Sequence, residues 1–427
     1  MDQKHMQRLS PVDVSFLDQE KQGAHMHVGA VMIFEGPPPS REDFREHIES
    51  RLHLVPRYRQ KLAYPRFEMG RPLWELWLVQ GLEQNRFAII SKTHHSLVDG
   101  VSGVDLLTVL FDTSPTPKAV EADGWSPRPE PSGLGLITEG AKGIAATPVS
   151  LVRRALGAAT HPRDTAREVR EAAEGLGEVA WSLVNPPPTT PLTVPIGPHR
   201  RVLWLRLALE DLKQIKNALG GTVNDVFLAV VSGALGRWLR RRGVRTEGLE
   251  LRGIVPVSIR ADENKGALGN QITAMLGPLP VYATDPVERL RIVSSAMRGL
   301  KESKQAVGAE TLTRLQGFAP PTILAQASRL NFSTRAYSLL VTNVPGPQFP
   351  LYLLGREMEE LAPVPFLAPE HALAVAIMSY NGSVDIGLMG DFDAMDDLDL
   401  FGGDIEEAFA ELREAADRAA ASGVRAG

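Results

Sequence analysis

The sequence predicts an α/β protein in two halves, and three observations carry that prediction. At 427 residues the chain exceeds what one hydrophobic core ordinarily serves, so it divides into two. Segments with the two-residue alternation of strands recur among segments with helical spacing on both sides of the middle. Between the halves runs NPPPTTPLTVPIGPH, residues 185–199, whose prolines suit a linker better than a helix or an inner strand. The predicted units are therefore residues 1–184, the linker 185–199 and residues 200–427.

Composition narrows the function classes. Hydrophobic residues make up 43% and charged residues 23%, the balance of a soluble globular chain. A net charge of −5 gives no basic footprint for nucleic acid. The chain has no cysteine, which excludes disulfides, thiolate nucleophiles and Cys-held metals together. A nucleophile must then come from elsewhere, and a substrate hydroxyl fits. The N-terminal MDQKHMQRLSPVDVSFLDQE lacks the apolar core of a secretory signal. No run approaches the roughly 18–20 apolar residues a spanning helix needs. The longest candidate, residues 223–239, is interrupted by Asn224, Asp225, Ser232 and Arg237. The expected location is the cytoplasm, with any lipid contact peripheral.

In the first half, Ser10 and Pro11 open a turn or helix that feeds an apolar strand over residues 30–35. His25 and His27 share one face of the run into it. That spacing also suits a metal, but no third ligand stands nearby, and packing or surface placement is the expectation. After three prolines, Ser40 caps an amphipathic helix from residue 41 to about 52, with Phe44, Ile48 and Leu52 at helical spacing. The basic and aromatic PRYRQKLAY, residues 56–64, reads as a solvated face beside a strand, with a phosphate contact as the alternative. Pro72, Leu73 and Trp74 open a strand over 74–79 that pairs with residues 86–95 across 81–85, and Trp74 reads as core.

Residues 86–112, RFAIISKTHHSLVDGVSGVDLLTVLFD, form a strand–turn–helix corner. Alternation over 87–95 sends His94 and His95 to opposite faces, so the two cannot share one role. Asp99 suits the N-cap of a helix over 101–111. A neutral imidazole at a strand end is well fitted to general-base work near neutral pH. Backbone hydrogen bonding around a turn is the bland alternative for any His-His pair. Residues 112–131 form a proline-rich loop. Residues 134–184 have helical periodicity, divided by Pro148 and Pro162, and pack on their own protein in preference to a lipid surface.

The second half opens with a strand over 201–207 and a helix over 210–218 that ends at Gly220 and Gly221. Thr222 or Asn224 starts a helix over 225–242, apolar on most faces and therefore buried. Capping accounts for Asn224 and Asp225. A buried strand over 251–257 leads to Arg260 and then Gly269-Asn270-Gln271. Residues 286–304 and 312–333 are helical, and 339–347 form a strand ending in a rigid turn. Residues 373–380 and 383–389 pair as a hairpin across Asn381-Gly382. The acidic stretch 391–399 enters a last helix over 400–420.

HHSLVDG, residues 94–100, matches the HHxxxDG signature of the acyl-CoA-dependent acyltransferase superfamily. With MHVG, PLW, TVNDV, PVSIR, GNQ and TNVPGP in the same order, the chain resembles bacterial wax ester synthase/diacylglycerol acyltransferases from Ser10 to Asp399, with Thr342 replacing a serine. The resemblance implies two chloramphenicol-acetyltransferase-like lobes, each a mixed sheet with helices, around a central tunnel where His95 lies. It implies transfer of a fatty acyl group from acyl-CoA to the hydroxyl of a long-chain alcohol or diacylglycerol. Acyl-CoA is then a co-substrate, and no cofactor or metal is expected.

On that resemblance His95 is the catalytic base and His94 is secondary. Asp99 pairs with Arg260 and, with Gly100, holds the corner. Asn270 is a candidate donor to the oxyanion, with a turn residue as the equal alternative. Glu20 falls at an acidic position that the family links to its active site, although a solvated helix-end charge is the favoured reading. Trp74, Asn224 and Asp225 are substrate-binding candidates. Two alternatives stay open: a superfamily acyltransferase with another acceptor, and a non-catalytic protein that binds lipid or coats droplets.

Overall fold

The chain builds two sheets, and the helices fall on them in chain order. The structure is a computed structural model that describes residues 11–20, 24–60, 72–97, 106–117, 120, 185–258, 272–302 and 336–423. Its strands begin with β1 (His27–Phe34), β2 (Trp74–Leu82), β3 (Arg86–His94), β4 (Arg200–Ala208), β5 (Leu251–Ser258) and β6 (Ile272–Leu279). They continue with β7 (Leu339–Pro345), β8 (Tyr352–Leu353), β9 (Arg356–Val364), β10 (Leu373–Tyr380) and β11 (Ser383–Asp391). The helices are α1 (Pro11–Gln19), α2 (Arg41–Arg51), α3 (Leu209–Leu219), α4 (Val223–Arg241), α5 (Pro286–Glu302) and α6 (Leu398–Ala421).

Local chemistry sets the boundaries the sequence announces. Ser40, in extended conformation, accepts the Asp43 amide at 3.0 Å and starts α2. Thr222 and Asp225 form a reciprocal capping box at the start of α4. Gly220, at φ 89°, ends α3. Asn381 and Gly382 take φ values of 42° and 84°, the left-handed pair that a tight hairpin between β10 and β11 needs. From Val226 to Leu239, α4 is buried nearly all round against the second sheet and its helices, as its apolar faces require. Among the described residues no single helix is long and apolar enough to cross a membrane.

The sheet orders are β2-β3-β1-β9-β8 and β4-β11-β10-β7-β5-β6. Every described pairing in the first is antiparallel, whereas the second is mixed, with β7 parallel to both β10 and β5. The mixed pairing expected of both lobes thus belongs to the second. The first sheet also draws on the second half of the sequence, because β9 lies against β1 in register from Gly29↔Val364 to Ile33↔Glu360. Residues 1–184 therefore do not complete their own sheet.

That crossing strand is tied to both sheets. Arg86 Nη1 of β3 lies 3.6 Å from Glu359 and 3.7 Å from Glu360. Arg206 of β4 donates to the Glu359 carbonyl at 3.0 Å and to the buried Asp385 at 3.0 Å. At Gly387 of β11 a Cβ would overlap the Pro363 carbonyl oxygen, so glycine is what lets β9 lie on the second sheet.

Two further features set the scene for the site. Phe16, Ala24, Met26, Leu340, Phe366 and Ala374 form an apolar cluster that joins α1 and the entry to β1 with strands of the second sheet. Beside α2, buried Arg51 donates to Asp112 at 2.9 Å and to His47 Nδ1 at 2.9 Å. His47 Nε2–H is thereby left to donate to the Leu110 carbonyl at 2.8 Å. This network fastens the helical residues 106–110 to α2. The predicted start of that helix, the 134–184 segment and the 312–333 helix lie outside the described residues.

Candidate active site

The site grows from the end of β3. His94 is its last residue, opposite His27 of β1 in the register. The His94 amide donates to the Leu73 carbonyl and the His95 amide to the Met26 carbonyl, both at 2.8 Å. The chain then turns, with Leu97 N–H donating to the His94 carbonyl at 2.9 Å. The two histidine rings part as strand alternation requires.

His94 is fully buried. Its Nδ1 accepts the Ser96 amide at 3.1 Å, and the Ser96 hydroxyl lies 2.7 Å from the same nitrogen. A neutral ring that accepts at Nδ1 carries its proton on Nε2. That Nε2 lies 3.1 Å from Glu20 Oε2, a close polar contact that is not aligned as a hydrogen bond. His94 thus spans from Glu20 to the turn that follows it.

His95 is half-buried on that turn. Its ring stacks on Phe16 at 4.1 Å and 20°, and meets Phe366 edge-on at 5.6 Å and 80°. Phe16 comes from α1 and Phe366 follows β9, so the imidazole sits in the apolar cluster that joins the two sheets. The stack on Phe16 and the edge contact with Phe366 restrict the plane of the ring.

Glu20 is the charged centre beneath. Its Oε1 lies 3.7 Å from His27 Nδ1 and 3.9 Å from His25 Nδ1, and its side chain is only 15% exposed. The favoured reading as a solvated helix-end charge therefore gives way: the carboxylate is enclosed by three histidines. Burial works against its charge, but His94, then His27 and His25, outweigh it and hold Glu20 below the usual glutamate range. Burial pushes His27 down to about 4, with His94 adding to the effect and Glu20 opposing it. An unfolded His27 protonates near 6.5 and the folded one near 4, so acid in that window favours unfolding through this group. Among the described residues no group of three His, Asp or Glu side chains could hold a metal.

Helix α1 is keyed to the turn after β3 by one more residue, in the basic run that the sequence suggests as a solvated face. Arg57 donates from Nη2 to Asp13 Oδ2 of α1 at 2.9 Å and to the Ser96 carbonyl at 3.2 Å. Residues 56–59 form a short 3₁₀ turn, and Arg57 is a brace there, not part of a solvated face. Trp74 is half-buried and donates from Nε1 to the Tyr58 carbonyl of the same turn at 2.9 Å. Trp74 therefore supports the brace. Asn224 Oδ1 accepts from Asn343 Nδ2 at 3.2 Å, which joins the TVNDV and TNVPGP blocks, while Asp225 is committed to the cap of α4. Asp99, Gly100, Arg260 and Asn270 lie outside the described residues.

Comparison with known proteins shows the family and the fold. The model of the wax ester synthase/diacylglycerol acyltransferase catalytic domain matches residues 9–69 and 61–227, and that of the WS/DGAT C-terminal domain matches residues 268–413. A protein of Mycobacterium tuberculosis named probable diacylglycerol O-acyltransferase is 29% identical, over 95% of this chain and 96% of its own. The wax ester synthase/diacylglycerol acyltransferase from Marinobacter aquaeolei VT8 superposes with a TM-score of 0.65 at 22% identity, covering 96% of this chain and 100% of that one. A trichothecene 15-O-acetyltransferase from Fusarium sporotrichioides gives 0.61 at 12% identity, over 95% and 94% of the two chains. At these identities the two solved structures speak for the fold alone.

Proposed function

The chain belongs to the wax ester synthase/diacylglycerol acyltransferase family, and we propose that its described site moves a fatty acyl group from acyl-CoA to a hydroxyl with His95 as the base. The observation that carries this reading is the placement of His95: half-buried between Phe16 and Phe366, on a turn fixed from both sides at Ser96. An apolar seam suits acyl chains, and the His95 imidazole within it supplies the proton chemistry.

The steps balance without an enzyme nucleophile. His95 takes the proton of the acceptor hydroxyl as its oxygen attacks the thioester carbonyl. A carbon–oxygen bond forms, the carbon–sulfur bond breaks, and the proton passes from His95 to the departing sulfur. General-base assistance of this kind is worth about 100- to 10,000-fold. His94 touches neither partner in this scheme; it holds Ser96 and meets Glu20. The same reading gives Asp99, Gly100 and Arg260 the task of holding the corner, and Asn270 that of donating to the oxyanion. Acceptors of this class sit in lipid, so the reading places the protein at the periphery of a membrane or droplet surface.

The test is product analysis with purified protein, palmitoyl-CoA, and hexadecanol or dioleoylglycerol as acceptor. Ester formation in step with CoA release is the expected result, and the better acceptor separates wax ester from triacylglycerol synthesis. Acyl-CoA that binds but releases no CoA with either acceptor overturns the reading in favour of a lipid-binding role.

A further inference from the structure

We propose that His27 is a positioning residue for this reaction, acting through Glu20 on His94 and so on the turn that carries His95. The proposal rests on the acyltransferase reading above. It starts from the sheet register, which sets His27 of β1 directly opposite His94 of β3. Their rings meet edge to face, with centroids 5.0 Å apart at 88°. Glu20, just past α1, presents one oxygen to each: Oε2 to His94 at 3.1 Å and Oε1 to His27 at 3.7 Å.

Two features make His27 more than a packing partner. Its Nδ1 is buried and lies 3.7 Å from Glu20 Oε1, a distance too long for a hydrogen bond. The nitrogen therefore limits how far the carboxylate can turn without capturing it away from His94. His27 also stays neutral through the pH range in which an imidazole base works. A permanent cation in its place would draw Glu20 off His94. The other groups facing this corner are the exposed His25, 3.9 Å from the same carboxylate oxygen, and Lys92 of β3, whose charge also disfavours protonation of His27. If Glu20 turns away, His94 loses its contact at Nε2, and the ring that holds Ser96 from its other side is freed to rotate. His95 is on the same turn, and small misplacement of a catalytic group lowers turnover steeply.

Three substitutions separate this role from simple packing. His27→Phe keeps an aromatic edge on His94 and removes the nitrogen. His27→Asn returns a nitrogen close to the Nδ1 position, and His27→Gln places it further out. The measurements are kcat and KM for palmitoyl-CoA over roughly pH 5 to 9, with melting temperature as the folding control. The phenylalanine variant is expected to lose about 10- to 100-fold in kcat with KM and melting temperature held. Asparagine should recover most of the loss, and glutamine less. Unchanged kcat in a folded phenylalanine variant overturns the proposal, as does loss of activity in all three variants in proportion to lost melting temperature. Should the phenylalanine variant fail to fold, full activity in the glutamine variant overturns it equally. Wild-type protein is the control for the underlying reading: no CoA release by wild type defeats that reading, whereas wild-type turnover with an unaffected phenylalanine variant defeats only the role of His27.

Discussion

His95→Ala is expected to lower acyl transfer by about 100- to 10,000-fold while the protein stays folded. The ring is held by stacking on Phe16 and an edge contact with Phe366, and neither contact carries the strand or the turn. What keeps the turn is the backbone: the His95 amide on Met26, the Leu97 amide on the His94 carbonyl, and Ser96 between His94 and Arg57. None of these depends on the imidazole of His95. Turnover should therefore vanish with the circular dichroism spectrum retained. His94→Ala contrasts with it, because it removes the ring that accepts from Ser96 and faces the buried Glu20, so activity and stability should fall together. A folded His95→Ala protein with wild-type turnover contradicts the assignment.

Arg57→Met is expected to weaken both the fold and the reaction. One guanidinium reaches a carboxylate that is 4% exposed on α1 and the carbonyl of Ser96 in the turn. Hydrogen bonds to charged groups contribute about 1.5–3 kcal/mol, and the lower half of that range applies because the Arg57 side chain is one-third exposed. The functional effect should be larger than the loss of stability suggests. With α1 no longer keyed to the turn, Phe16 and Glu20 lose their fixed places against His95 and His94, and kcat should fall about 10- to 100-fold. Arg57→Lys keeps the charge but not the fork, so it should hold one contact and lie between wild type and methionine. Denaturant melts and steady-state kinetics on the same preparations check both effects. Methionine with wild-type kcat would show that the brace is not needed.

The corner at residues 86–97 was legible in the sequence for physical reasons. Alternation separates His94 from His95 without any knowledge of their partners, Thr222 and Asp225 announce their own cap, and Asn381-Gly382 suits only a tight hairpin. The family resemblance added the acyl-transfer chemistry, which spacing alone does not contain. What stayed hidden depends on partners distant in the chain. Glu20 looked like a helix-end charge because nothing near it in sequence predicts that β1 and β3 bring His27 and His94 onto it. Arg57 looked solvated because Asp13 and Ser96 lie far from it along the chain. REMEELAPV, β9, has no assignment from the sequence; its glutamates meet arginines of β3 and β4 while its backbone lies against Gly387. The strand β6, likewise unassigned from the sequence, carries Gly277 and Pro278 and lies at the edge of its sheet, where a missing ladder donor is tolerated.

The central claim is direct transfer, with His95 carrying a proton and no acyl group resting on the protein. Rapid mixing of the purified protein with palmitoyl-CoA in the absence of any acceptor tests it, with released thiol and intact protein mass followed together. The account predicts no burst of thiol and no acylated chain, and release that begins only when hexadecanol or dioleoylglycerol is added. A stoichiometric burst without acceptor, with the acyl group found on the protein, would contradict it.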